Sequence, residues 1–161
     1  MVGERPYWRD VGTIDAYWEA NMDLTKVVPE LNLYDDEWPI LSRQPQLPPA
    51  KFVFDGDGLR GVAVDSLVSS GCIVSGATVR RSILFSKVRV SEGRLVEDSL
   101  VLPDVTIGRG VTLWRVVIDK RCSLPDSFTA GVHPAEDKAR FHVTERGITL
   151  ITSSLLGERR Y

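Results

Sequence analysis

Between Val68 and Ala130, apolar residues recur in steps of five or six: Val68, Ile73, Val79, Leu84, Val90, Val96, Val101, Ile107, Leu113, Ile118, Leu124 and Ala130. A helix returns its apolar stripe every three to four residues, and an alternating strand has a period of two. A step near six is met by short strands joined at corners, three sides closing one coil. Longer rows repeat as well. Ser82-Ile83-Leu84-Phe85 lies 17 residues before Ser99-Leu100-Val101-Leu102, with Val88, Val105 and Cys122 in line and Gly93 matching Gly110. The first row is shorter, Ser66-Leu67-Val68 lying 16 residues before Ser82-Ile83-Leu84. An ordinary β-sandwich has no reason to hold its row length so nearly constant. The spacing therefore predicts a mainly β chain built on a parallel β-helix of the hexapeptide kind, about four coils over 66–130.

Gly71, Gly76, Gly93, Gly108 and Gly110 suit corners that need a positive φ. The open ends of the coils need covers. Pro134 at a first helical position, with Ala135 to Phe141 behind it, predicts a capping helix, and Gly147 to Thr152 a final strand. Upstream the texture changes. Thr13 is a helix N-cap, Asp15 places a carboxylate in the first turn, and Ile14, Tyr17, Trp18 and Met22 form one apolar stripe. A short α-helix over 13–24 is expected. Pro29, Pro39, Pro45, Pro48 and Pro49 make 29–50 an extended connector. Asp55-Gly56-Asp57-Gly58 reads as a turn; the spacing of a calcium loop does not follow it.

Several function classes are disfavoured. The net charge is −2, without the basic surplus of a nucleic-acid footprint. No apolar run is long enough for a membrane span, and the first residues have no secretory leader pattern. Cys72 and Cys122 stand apart from each other and from any Cys/His cluster, which argues against structural zinc and a disulfide framework. A cytoplasmic location follows as the default. A hexapeptide acyltransferase would want a coil histidine as its base; His133 and His142 both lie beyond the coils. Trp114, near a corner, is either an outer-face interface anchor or a local packing residue.

The densest chemistry lies in Tyr7-Trp8-Arg9-Asp10-Val11-Gly12-Thr13, an acid among bulky aromatics before a helix start. Taken alone, Asp10 is an oxygen ligand for a hard cation or a turn residue. The run from Pro6 to Trp18 closely resembles the segment that closes the catalytic domain of bacterial ADP-glucose pyrophosphorylases (glucose-1-phosphate adenylyltransferases). Asn21-Met22-Asp23-Leu24, Leu33-Tyr34-Asp35, Trp38-Pro39-Ile40, Leu47-Pro48-Pro49-Ala50-Lys51-Phe52 and Val117-Ile118-Asp119-Lys120 continue it. Glu136-Asp137, Arg140-Phe141 and Gly147-Ile148 extend the likeness over roughly 6–152.

The resemblance implies a left-handed winding of the coils. It implies 1–28 as the tail of a nucleotidyltransferase domain, 29–60 as linker, and 61–161 as a β-helix domain with a C-terminal cap. It also implies conversion of ATP and glucose 1-phosphate to ADP-glucose and pyrophosphate for glycogen synthesis. Asp10 matches the family's second metal-binding aspartate, for Mg²⁺, and Trp8 lies beside it as a substrate-binding residue. The partner aspartate and the Gly-rich triphosphate loop are not in this sequence, so the chain is expected to be a C-terminal portion, inactive alone. Lys120 matches the position that meets a phosphorylated sugar effector. The family's second cation falls at Ser153, with Arg159 and Arg160 as possible substitutes. A homo-oligomer, tetrameric by family, is implied. The alternatives are a stand-alone β-helix oligomerisation or binding module and, further off, a hexapeptide acyltransferase.

Overall fold

A computed structural model describes residues 7–42, 45–53, 56, 60–93 and 95–157. Short strands stack into three parallel sheets, one per side of a β-solenoid. The first sheet runs Lys51–Val53, Ile73–Ser75, Arg89–Val90, Thr106–Ile107 and Ser123–Leu124. The second runs Val62–Val64, Thr78–Arg80, Leu95–Glu97, Thr112–Trp114 and Thr129–Ala130. The third runs Leu67–Val68, Ile83–Leu84, Leu100–Val101, Val116–Ile118 and Thr149–Ile151.

Each side sends one apolar residue inward, and register stacks these along the axis: Val79 on Val96 on Leu113 on Ala130, and Leu84 on Val101 on Ile118 on Ile151. All eight are at most 1% exposed. Each buried Val, Leu or Ile of this kind contributes about 1.5–3 kcal/mol before chain entropy is set against it. One member of the expected column is displaced. Val74, fully buried and in register with Val90, points inward, whereas Ile73 lies opposite the exposed Arg89. A step of five or six fits either of two adjacent β-branched residues, so the pattern alone did not separate them.

The glycine reading is also corrected. Gly71, Gly76 and Gly110 do have positive φ, but Gly93 and Gly108 do not. Gly108 is needed for space instead: a Cβ there would lie 2.8 Å from the Leu124 carbonyl oxygen and 2.7 Å from Asp126 Oδ1. Many left-handed corners use charged residues. Asp65, Arg81, Asp98 and Arg115, with φ of 48°, 41°, 49° and 52°, stack at the corner between the second and third sheets.

The caps form where expected. Helix α2, Pro134–Arg140, has proline in its first turn and covers the last coil. Phe128 and Phe141 meet at 5.8 Å beneath it, and buried Asp137 accepts from the Gly131 amide at 3.0 Å. The last strand, Thr149–Ile151, completes the third sheet after this excursion, and His142–Val143 pairs with it antiparallel. At the other end the solenoid starts at Lys51–Val53, ahead of the expected boundary at 61, with the Gly71 amide donating to the Pro48 carbonyl.

Helix α1, Ile14–Asp23, is capped by Thr13, whose hydroxyl oxygen accepts from the Ala16 amide at 3.1 Å. It does not stand apart from the solenoid. Its Ile14, Tyr17, Trp18 and Met22 pack on the outer face of the third sheet, against Ile83, Leu100, Val117 and Ile148. The connector after it has turns but no helix or strand among the described residues up to Lys51.

Candidate functional site

The Trp8–Asp10 segment leads into α1 without regular structure of its own, and its exposure alternates. Trp8 and Asp10 are exposed, Trp8 at 80%, while Tyr7 and Arg9 are half-buried. Asp10 Oδ1 accepts from the Gly12 amide at 2.9 Å, and Oδ2 has no hydrogen-bond partner among the described residues. Arg9 reaches the opposite way, donating to Glu30 Oε2 at 2.9 Å and lying 3.8 Å from Asp23 Oδ2. Asp23 is only 5% exposed. It accepts from Lys26 Nζ at 2.5 Å and from the Glu30 amide at 3.1 Å. Burial alone would raise the Asp23 carboxyl, but the Lys26 and Glu30 hydrogen bonds and the charges of Lys26 and Arg9 outweigh it and hold the group below its ordinary value.

The helix that carries this segment is fastened to the solenoid by polar contacts as well as packing. The Trp18 indole N–H donates to the Asp98 carbonyl at 2.8 Å. The Arg115 guanidinium lies 4.9 Å from the Trp18 ring centre and 5.7 Å from that of Trp114, and donates to the Arg146 carbonyl at 3.0 Å. Trp114 is 43% exposed, with one face under this cation. Thr144 Oγ1 donates to Asp15 Oδ1 at 2.6 Å, and Arg146 forms an ion pair with Glu19. Asp98 is itself held by a two-pronged Arg81 contact at 2.7 and 3.2 Å. Sequence reasoning missed this seat. Its signal was present: Asp65, Arg81, Asp98 and Arg115 alternate in charge at the row spacing.

Lys120 is exposed on the turn that links the third sheet to the first. Its amide is bound by Asp119 Oδ1 at 2.8 Å, and its side chain has no ion pair among the described residues. Ser153 emerges at the same end of the strand pair, since the Asp119 amide donates to the Ile151 carbonyl at 2.8 Å. Ser153 is 6% exposed. Arg159 and Arg160 lie outside the described residues. No hydrogen bond or ion pair joins Lys120 to Trp8 or Asp10.

The remaining chemistry is sparse. His133 and His142 are exposed beyond the coils. Cys72 is buried and its thiol donates to the Phe85 carbonyl at 2.9 Å; burial pushes its pKa up, which disfavours the reactive thiolate. Among the described residues no group of three or more His, Cys, Asp or Glu is placed to hold a metal ion, so Asp10 does not make a Mg²⁺ site unaided. No helix among the described residues is long and apolar enough to cross a membrane.

Comparison with known proteins agrees with this architecture. A family described as GlmU-like, C-terminal hexapeptide matches residues 48–151. The chain is 63% identical over 154 residues to the glucose-1-phosphate adenylyltransferase of Dechloromonas aromatica, covering 96% of the chain and 35% of that protein. It is 58% identical to that of Nitrosospira multiformis, covering 99% of the chain and 37% of the relative, and 62% identical to that of Methylobacillus flagellatus, covering 94% and 36%. It thus spans little more than a third of the length of these curated relatives. With three parallel sheets stacked on a six-residue step and the match across nearly all of them, the chain belongs to the GlmU-like C-terminal hexapeptide family, whose solenoid is a left-handed β-helix.

Proposed function

We propose that this chain is the β-helix portion of a glucose-1-phosphate adenylyltransferase, which makes ADP-glucose and pyrophosphate from ATP and glucose 1-phosphate. The observation that carries the reading is the 55–63% identity to such enzymes over 93–99% of the chain. The geometry supports it. The segment is presented outward from a helix seated on a rigid solenoid, which suits a part that meets a second domain. That domain supplies the triphosphate-gripping loop and the other metal-binding aspartate. Asp10 contributes one carboxylate with a free oxygen, and Trp8 a flat apolar face for substrate. The described residues do not complete a Mg²⁺ site by themselves, so Asp10 would hold the ion together with the aspartate of that domain.

Lys120 serves the effector: an exposed ammonium on a stiff corner is a good phosphate partner. Arg159 and Arg160 contribute from the tail, and the solenoid flanks serve assembly into a homotetramer in the cytoplasm.

The test is pyrophosphate release from ATP plus glucose 1-phosphate. The chain alone is expected to be silent, and the polypeptide joining it to a nucleotide-binding domain active. Asp10→Asn in the latter is expected to lower kcat by about two orders of magnitude with an unchanged melting temperature. Turnover by the chain alone, or full turnover by Asp10→Asn, would overturn the reading.

A further inference from the structure

Among the described residues the Trp8–Asp10 segment has no ladder partner. Its exposure alternates from Tyr7 to Asp10 with the two-residue period of an extended strand, so the Arg9 side chain leaves on the side opposite Trp8 and Asp10. That side faces the C-terminal end of α1. There Arg9 meets Glu30 Oε2 at 2.9 Å and Asp23 Oδ2 at 3.8 Å. The two anchors differ. The Glu30 side chain is 62% exposed and movable, whereas that of Asp23 is 6% exposed and fixed by Lys26 and the Glu30 amide. Asp23 ends the helix that Trp18, Asp15 and Glu19 fasten to the solenoid. A continuous set of contacts therefore runs from the solenoid through α1 and Asp23 to Arg9. Among the described residues, the side-chain hydrogen bonds that hold this segment are the turn closed by the Gly12 amide on Asp10 and the Arg9 contact to Glu30.

We propose that Arg9 is a positioning residue: its clamp on Asp23 and Glu30 aims Trp8 and Asp10 outward, toward the reacting substrate. The proposal rests on the reading that Asp10 serves adenylyl transfer. Arg9 does not touch substrate; it holds the backbone between the two residues that do. A carboxylate displaced by an ångström costs up to about a hundredfold in rate, because the reacting geometry must be preformed. Both contacts come from one guanidinium nitrogen, Nη2; lysine keeps a charge to meet the two carboxylates but on a shorter, freely rotating stem, so it restores the function in part.

Two measurements test this. In the 161-residue chain, ¹⁵N relaxation of the 8–12 amides is expected to show fast motion in Arg9→Ala, with the solenoid amides unchanged. In the polypeptide that also carries the nucleotide-binding domain, Arg9→Ala is expected to lower kcat about tenfold to a hundredfold. KM values for ATP and glucose 1-phosphate should move little, the Mg²⁺ dependence should shift to higher concentration, and Arg9→Lys should recover part of the loss. Amides 8–12 that stay as ordered in Arg9→Ala as in the parent overturn the proposal. So does a loosened segment with undiminished kcat, or a loss seen equally in kcat and in melting temperature. A parent that makes no ADP-glucose defeats the functional reading instead, and the relaxation measurement then decides by itself whether Arg9 holds the segment.

Discussion

Replacing Ser99 with alanine tests what holds the coils together at the corner between the second and third sheets. Ser66, Ser82 and Ser99 form a ladder there. The Ser66 hydroxyl oxygen accepts from the Ser82 amide at 3.1 Å, that of Ser82 from the Ser99 amide at 3.1 Å, and that of Ser99 from the Val116 amide at 3.2 Å. Ser99 and Val116 are both fully buried, so in Ser99→Ala no water reaches the abandoned amide. Ser99 also donates to the Glu97 carbonyl at 2.7 Å, but that oxygen keeps the Arg115 amide at 3.1 Å and loses little. The cost is thus one buried unpaired N–H, about 1–3 kcal/mol.

One relaxation route exists. Where the ladder ends, the Thr149 amide bonds directly to the Arg115 carbonyl at 3.1 Å. The equivalent acceptor for Val116 is the Asp98 carbonyl, which already holds the Trp18 indole at 2.8 Å. Taking that route loosens α1, which is also a loss. At about 2–4 °C per kcal/mol for a chain of this size, the melting temperature of Ser99→Ala should fall by about 2–12 °C, read by circular dichroism. Ser66→Ala should lose less, since Ser66 lies at a wetter edge. A Ser99→Ala chain within about 0.5 kcal/mol of the parent would refute the argument.

Gly131→Ala should be far worse: φ is +83° and a Cβ would lie 1.6 Å from the Trp114 carbonyl oxygen, so a loss of about 3 kcal/mol or more is expected in urea unfolding. Asp23 has a folded pKa below its unfolded value, so its stabilisation is complete above the ordinary carboxylate range and is lost as pH falls through the folded value. Acid titration from about pH 5 downward should therefore release the 7–30 region, followed by amide shifts, and Asp23→Asn should flatten that acid dependence and leave the region loosened already at neutral pH, by removing the charge that Lys26 and Arg9 meet. In the full enzyme, Lys120→Ala should raise the effector concentration for half-activation about 10- to 150-fold with basal turnover retained, because a charged hydrogen bond to phosphate contributes about 1.5–3 kcal/mol; an unchanged activation curve counts against the effector role.

The solenoid was legible because its rule is local and repeated. Every coil must bury the same three positions, so each row restates the pattern, and the aligned serines of 66, 82 and 99 mark a corner whose hydrogen bonds the structure supplies. What the period could not fix were choices between equivalents. Ile73 and Val74 are both β-branched and both satisfy the step, and only pairing with Arg89 and Val90 separates them. Positive φ was assigned to glycines by propensity. Yet Lys87, Asp104 and Arg121, at 60°, 61° and 60°, take it at the corner where Lys120 sits, because the stacked backbone imposes the turn coil after coil.

The candidate site was less legible for a different reason. Asp10 and Trp8 are conspicuous as residue types, but what directs them is Arg9 meeting Asp23 and Glu30 across an irregular connector, and no period links those positions. The seat of α1 joins residues more than a hundred apart, Thr144 to Asp15 and Arg146 to Glu19. That seat has a consequence for regulation. The strand Thr149–Ile151 receives the Asp119 amide at one end, beside Lys120, and turns back at the other into the hairpin that grips α1. Coupling between distant sites needs an element whose arrangement both sites bias. This hairpin and the strand Val116–Ile118, whose Val117 packs on α1, both lie between the corner of Lys120 and the helix that follows Asp10, so the effector role proposed for Lys120 predicts coupling through them.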